Sequence, residues 1–176
     1  KVLTGAVNPS GRTVDTFPYE AESAPSYYNF GAHDYTNVQH TNQSLFAGSG
    51  DATSGTENVH FVDYAEGIYT GYKYYETRYY DSVTGSGNAT GAAGASNGAS
   101  SWNYDDEVVY PFGYGLSYTT FDEKIADFSD DGTTITMTVD VTNTGDVAGK
   151  DVVEAYYSAP YTPGGIEKSA VVLAGF

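Results

Sequence analysis

From Thr133 the chain alternates strictly: Ile135, Met137, Val139 and Val141 fall on one side, and Thr134, Thr136, Thr138 and Asp140 on the other. Successive side chains of a strand point to opposite faces, so a period of 2 predicts a strand with one apolar face. The turn residues Asn143-Thr144-Gly145-Asp146 end it, and Lys150 to Ser158 reads as the next strand. The apolar run Val171-Val172-Leu173-Ala174 marks another. Upstream, Leu116 to Phe121 reads as a strand, and so do the residues from Thr13 to Phe17, between the turn Asn8-Pro9-Ser10-Gly11 and Pro18. These segments predict antiparallel strands half-solvated on their outer faces, as in a β-sandwich. A full sandwich takes about seven strands and about 100 residues. Only about four fit between Leu116 and Phe176, which predicts a partial one.

The segment feeding the first of these strands is the most distinctive in the chain: Tyr110-Pro111-Phe112-Gly113-Tyr114-Gly115-Leu116-Ser117-Tyr118-Thr119-Thr120-Phe121. Pro111 fixes φ while Gly113 and Gly115 free it, and aromatic residues alternate with them. That pattern predicts a tight, aromatic-packed corner.

Periodicity fails elsewhere. Residues 21–58 are polar, aromatic-rich and aperiodic, and a loop of that length is a candidate site wall or a surface excursion packed by its own Tyr27, Tyr28, Phe30 and Tyr35. Residues 82–101 are almost wholly Gly, Ala, Ser, Thr and Asn, a composition that predicts a flexible insertion. Trp102 and Tyr104 follow at once. An exposed aromatic beside a mobile loop suits stacking on a sugar, so these two are the candidate substrate-binding residues; the alternative for Trp102 is a packing anchor. The expected organisation is therefore 1–81, with its long loop at 21–58, then the insertion 82–101, then 102–176.

Composition sharpens this picture in two ways. Twenty-three acidic residues against seven basic ones give a formal net charge of −16, which argues against nucleic acid or an anionic membrane as partner. Eighteen tyrosines supply apolar rings with polar tips, suited to half-buried interfaces and sugar-facing surfaces, while also favouring strands. There is no cysteine and no run of about 18 apolar residues, so neither disulfides nor a membrane-spanning helix is expected. The chain begins with Lys1, has Met137 as its sole methionine and stops at Phe176 after an apolar run, which predicts a piece of something longer.

Five stretches resemble one family. Tyr110 to Phe121 closely resembles the junction of family 3 glycoside hydrolases, the β-glucosidase and β-xylosidase group, where an α/β sandwich domain passes into a fibronectin-III-like domain. Val2 to Pro18 resembles the end of that α/β domain, with Thr13-Val14 where the family usually has Leu-Pro. Glu66-Gly67-Ile68-Tyr69, Gly71-Tyr72 and Tyr74-Tyr75-Glu76-Thr77 resemble a third motif near the same place. Val139 to Pro160 and Lys168 to Phe176 resemble strands at the start of the fibronectin-III-like domain. The resemblance implies a mixed fold: the end of an α/β sandwich domain followed by a partial antiparallel β-sandwich. It implies a parent enzyme that hydrolyses β-glucosides or β-xylosides with retention, needs no cofactor, and is secreted or at the cell surface of a bacterium. It also implies that the partner of this segment is the remainder of the enzyme, its barrel and α/β domains, with a β-linked oligosaccharide as a further candidate.

A retaining glycosidase needs two carboxyl groups about 5 to 5.5 Å apart. Neither family motif carrying them occurs here, so no catalytic residue is expected in this chain. Asp105-Asp106-Glu107 is the densest carboxylate cluster, but neighbours on a strand would point to opposite faces. Asp127 to Gly132 misses calcium-loop spacing and reads as a hairpin turn. His33, His40 and His60 are too scattered for a metal site, and Asn42 and Asn88 open glycosylation sequons in loop-like segments. Two readings from other classes stand beside the enzyme segment: a stand-alone β-rich module binding carbohydrate or protein, and a structural or filament-forming fragment.

Overall fold

The alternating run forms the longest regular feature of the molecule, a hairpin. The computed structural model describes residues 1–27, 64, 66–85, 95, 96 and 98–176. Strand β3 (Phe121–Asp130) pairs antiparallel with β4 (Ile135–Asn143), from Phe121 opposite Asn143 to Asp130 opposite Ile135. The register shifts between Ile125 and Asp127. The turn between them is closed by carboxylates: Asp130 accepts from the Gly132 N–H, and Asp131 from those of Thr133 and Thr134.

Four more short strands, two α-helices and a 3-10 turn at Ala21–Ser23 complete the described elements around it. Strand β1 (Phe17–Pro18) pairs with β2 (Val108–Tyr110), and β5 (Ala155–Tyr157) with β6 (Val172–Gly175), both antiparallel. Helix α1 spans Tyr72–Thr84 and the single turn α2 spans Tyr104–Glu107. The described chain is thus three separate two-stranded antiparallel sheets with few helices.

Several expected strands are displaced or shorter than the pattern suggested, and each has a cause. The strand expected over Leu116 to Phe121 shares only Phe121 with β3, because the Tyr118 N–H is taken by Asn8 and the Thr119 N–H by the Ser117 hydroxyl. Between Thr13 and Phe17 the ladder is limited to Phe17–Pro18; Thr13 instead pairs its backbone with Tyr114 and Gly113. Of Lys150 to Ser158 only Ala155–Tyr157 is strand, since Asp151 turns its carboxylate to its neighbour's N–H and to Arg12.

Helix α1 has no counterpart in the sequence pattern. Its buried face is made of Tyr75 and Arg78, one turn apart, with Tyr74 packed beside them, so no apolar stripe advertises it. Gly71 opens the helix at φ 53°, where a Cβ would lie 2.5 Å from Asp15 Oδ1, and Gly85 ends it in the left-handed region. The helix runs through Thr84, so the segment expected to be flexible from residue 82 begins inside it. Its far end is also tied: Ala95 packs on the core and Ser96 is bonded to Glu107. Residues 86–94 and 97 lie outside the described residues, as does the greater part of the 21–58 loop.

The core sits between α1, α2 and β2. Its buried apolar members are Tyr75, Trp102 and Val108.

Candidate functional site

Two neighbouring features meet on α1, and both follow from how its polar residues are held. On one side lies the Trp102 core. Trp102 is only 4% exposed, with the Arg78 guanidinium 5.4 Å over its ring and Tyr104 edge-on at 6.1 Å. Tyr104 donates to Glu76 Oε1 at 2.6 Å and packs edge-on against Tyr79. Burial, reinforced by that carboxylate, drives its phenol well above the ordinary tyrosine range. The exposed ring expected of Trp102 beside a loop is not what the chain builds: the tryptophan is the packing anchor of α1, and Tyr104 bridges it to the helix.

The cluster Asp105-Asp106-Glu107 lies on α2, a helical turn rather than a strand, with Asn103 capping the Asp105 N–H. Asp105 and Asp106 face solvent while Glu107 is 1% exposed. A buried carboxylate is costly unless its oxygens are satisfied. Here Oε1 accepts from the Ser96 N–H at 2.8 Å and Oε2 from the Ser96 hydroxyl at 2.7 Å. The backbone carbonyl of Glu107 also accepts from the Tyr19 N–H, so one residue ties three parts of the chain. No group of three or more potential metal ligands occurs among the described residues. His33, His40 and His60 lie outside them, as do both sequons.

On the other side of α1 is a cleft of about 860 Å³, walled by the helix with its lead-in and by residues 158–170. Its walls are stitched together across nearly a hundred residues of sequence. The Tyr69 hydroxyl donates to the Glu167 carboxylate, the Ala170 N–H to Thr77 Oγ1 at 2.9 Å, and the Leu173 N–H to the Tyr72 hydroxyl at 3.1 Å. Lys168 is held by the Pro160 carbonyl at 2.6 Å. Burial raises the Tyr69 phenol, with Glu167 adding to the shift. Burial likewise raises the Asp81 carboxyl, opposed by Arg78 and assisted by Glu167. Sequence reasoning missed this cleft, because its two walls come from a helix without a pattern and a loop with no motif.

The motifs at residues 2–18 and 110–121 meet each other and residues near 150. Gly115 lies against the Gly11–Arg12 turn so closely that a Cβ would come within 2.4 Å of the Gly11 carbonyl oxygen. Arg12 pairs with Asp151, and Asn8 accepts from Ser117 and Tyr118 while donating to the Ala148 carbonyl. Thr13, where Leu is usual in the resembled motif, uses its hydroxyl to donate to the Pro111 carbonyl at 2.6 Å and accept from the Tyr114 N–H at 2.9 Å.

The full extent of the chain has relatives among known proteins. It is 35% identical over 191 aligned residues to β-glucosidase A of Butyrivibrio fibrisolvens, a match covering all of this chain and 17% of that protein. It is 36% identical to β-glucosidase B of Emericella nidulans, over 90% of this chain and 14% of the relative. The solved structure of β-glucosidase 3B from Thermotoga neapolitana in complex with α-D-glucose superposes with a TM-score of 0.63 at 32% identity, over 99% of this chain and 17% of that one. The β-glucosidase of Kluyveromyces marxianus in complex with glucose gives 0.63 at 29%, over 99% and 14%. No family model matches the chain. The chain spans about a sixth of the length of the relatives it matches.

Proposed function

We propose, on the premise that this chain belongs to the β-glucosidases of the family 3 type, that it is a non-catalytic structural portion of a retaining β-glycosidase acting on β-glucosides or β-xylosides. Retention requires two carboxyl groups on opposite sides of the bond, one nucleophile and one acid/base, passing through a covalent glycosyl-enzyme. In this reading both come from the remainder of the enzyme, its barrel and α/β domains. Three of the described acidic residues are engaged otherwise: Glu107 holds Ser96, Glu76 takes Tyr104, and Glu167 takes Tyr69.

The observation that carries the reading is the junction. Asn8, Arg12 and Gly11 on one side and Gly115, Ser117, Tyr118 and Asp151 on the other form a bonded clip between the two ends of the chain. Such a clip fixes the angle at which the end of an α/β sandwich meets a fibronectin-III-like domain. The hairpin β3–β4 then supplies the first strands of that second domain. Its exposed Ile125, Phe128 and Ile135 form an apolar surface that further strands cover.

The test is the intact mass of the native polypeptide, alongside turnover of aryl β-glucoside and β-xyloside. A mass several times 18.8 kDa with turnover is expected, and so is an inactive 176-residue segment. Turnover by the segment alone overturns the non-catalytic reading. A native mass near 18.8 kDa without turnover overturns the enzyme reading and favours a stand-alone module.

A further inference from the structure

Asp131-Gly132 is the sole Asp-Gly pair in the sequence, and it sits at the tip of the β3–β4 hairpin. Such a pair carries latent backbone chemistry, because glycine has no Cβ to shield its own nitrogen from the preceding carboxyl group. The Gly132 nitrogen can attack Asp131 Cγ: the N–Cγ bond forms, a Cγ–O bond breaks, and the oxygen leaves as water with the amide proton and the carboxyl proton. Water then opens the resulting succinimide ring at either carbonyl. Opening at Cγ restores aspartate, and opening at the backbone carbonyl leaves isoaspartate, with an extra carbon in the main chain. One water leaves and one returns, so no further reactant is needed.

Bulk does not oppose this at the tip. Asp130 to Thr134 are all exposed, so water has access, and beyond the chain neighbours no atom of the described residues lies within 4 Å of where a Gly132 Cβ would be. What opposes it is a set of hydrogen bonds that engages each reacting group elsewhere. The Gly132 N–H donates to Asp130 Oδ1 at 2.8 Å, so the nucleophilic nitrogen is committed to the neighbouring carboxylate and not to the one it would attack. Asp131 Oδ1 accepts from the Thr133 N–H at 2.9 Å and from the Thr134 N–H at 2.7 Å, which draws the electrophilic carboxyl forward along the chain, past Gly132. The Thr134 and Thr133 N–H groups also favour the ionised carboxyl, holding it below 3.8, whereas water leaves only from the protonated form. The Asp131 N–H, donating to the Thr134 carbonyl at 3.3 Å, closes the same turn.

We propose that Asp131-Gly132 is an isoaspartate-forming site that the folded turn keeps closed, with Asp130 as the residue that holds the Gly132 nitrogen away from the Asp131 carboxyl. Isomerisation then proceeds only when the tip opens, so the hairpin sets its rate. The product lengthens the backbone next to the last pair of the ladder, Asp130 opposite Ile135, and undoes the turn that held it back. The site depends on the turn alone and stands whether or not the parent protein is a glycosidase.

The experiment ages the native polypeptide for several weeks in mildly acidic buffer beside a synthetic peptide of residues 125–138. Isoaspartate at position 131 is located by electron-transfer mass spectrometry in the tryptic fragment between Lys124 and Lys150, which is separate from the fragment carrying Asn97-Gly98. It is expected to form at least about tenfold more slowly in the protein than in the peptide. Asp130→Ala is expected to raise the rate in the protein about tenfold while hydrogen-exchange protection at the Thr133 and Thr134 amides is kept. Asp130→Asn, which retains an oxygen acceptor, is expected to stay within about twofold of the unaltered protein. Equal rates in protein and peptide, or an Asp130→Ala rate at or below that of the unaltered protein, overturns the proposal. So does acceleration that comes only with lost protection at those two amides, or an Asp130→Asn rate that matches Asp130→Ala.

Discussion

In the hairpin β3–β4 nine residue pairs stand in register, yet every residue of β3 except Phe121 and every residue of β4 except Val139 is exposed. Around Glu107 the situation reverses. There β1 and β2 share only two paired positions, while Tyr75, Trp102, Glu107 and Val108 are all but removed from solvent. The hairpin is regular without being a core, and the junction is a core without being regular. Backbone pairing alone explains the first, since a ladder satisfies its own N–H and C=O groups. The second depends on individual side chains replacing that ladder: Ser96 to Glu107, Ser23 to Tyr75 at 2.7 Å, Tyr104 to Glu76. Stability in the junction should therefore be sensitive to single atoms, and in the hairpin largely indifferent to them.

The most severe way to break this contrast is one added methyl group. Gly115→Ala places a Cβ against the Gly11 carbonyl and the Arg12 side chain, so the two turns must part. The expected cost is about 3 kcal/mol, read as loss of hydrogen-exchange protection at the Thr13 and Gly113 amides of the native protein. Protection within 0.5 kcal/mol of the parent, on the order of a neutral surface change, would show that the junction is slack.

Next in size is Glu107→Ala. It removes both acceptors of Ser96 and leaves that donor pair unsatisfied beside Trp102, for an expected loss of about 2 to 3 kcal/mol. Tryptophan fluorescence should shift to the red as water reaches the ring. An unshifted spectrum would mean that Ala95 and Ser96 stay in place without the carboxylate.

The same glycine substitution in the hairpin gives the control. Gly132 has φ 83° but open space where its Cβ would go, so Gly132→Ala meets only backbone strain, about 1 kcal/mol. Exchange at the Thr134 amide would report it. A cost equal to that of Gly115→Ala would erase the distinction between the two regions.

The smallest effect is one of pH. The N–H groups of Thr134 and Thr133 hold the Asp131 carboxyl below its ordinary value of 3.8. A lowered folded value means stability that is full above 3.8 and disappears as pH falls through the folded value. Amide shifts of Thr133 and Thr134 should therefore move only below pH 3.8, with no matching change at Ser96. Movement at neutral pH would contradict the turn geometry.

Legibility in the sequence followed the same division. The second arm of the hairpin announced itself because Ile135, Met137, Val139 and Val141 alternate with polar residues, and a two-residue period needs no knowledge of distant contacts, whereas β3 beyond Phe121 was not read as a strand. The turn at Asp130 to Thr134 was equally local. Helix α1 was silent, since its inward face is Tyr75 and Arg78 and its partner Trp102 lies beyond a stretch of small residues. Trp102 was misplaced for the same reason. Flanking composition suggested an exposed ring, while Tyr75 and Arg78, which help to bury it, lie more than twenty positions away. The corner at 110–121 and the Asn8 turn could be recognised as motifs, but their mutual docking is a tertiary fact.

The clip between Asn8 or Arg12 and the residues near 150 also imposes an order in time. Its hydrogen bonds join positions 139 and 140 apart, among the most distant pairings in the chain. A ribosome adds residues at about 5 to 20 per second, so the Asn8 amide and the Arg12 guanidinium wait on the order of ten seconds for Ala148 and Asp151. The hairpin, built from neighbours, is itself complete only at Asn143, five residues before Ala148, so its zipping and the closing of the junction become possible almost together. The earliest residues of this segment are therefore the ones that wait longest for their partners.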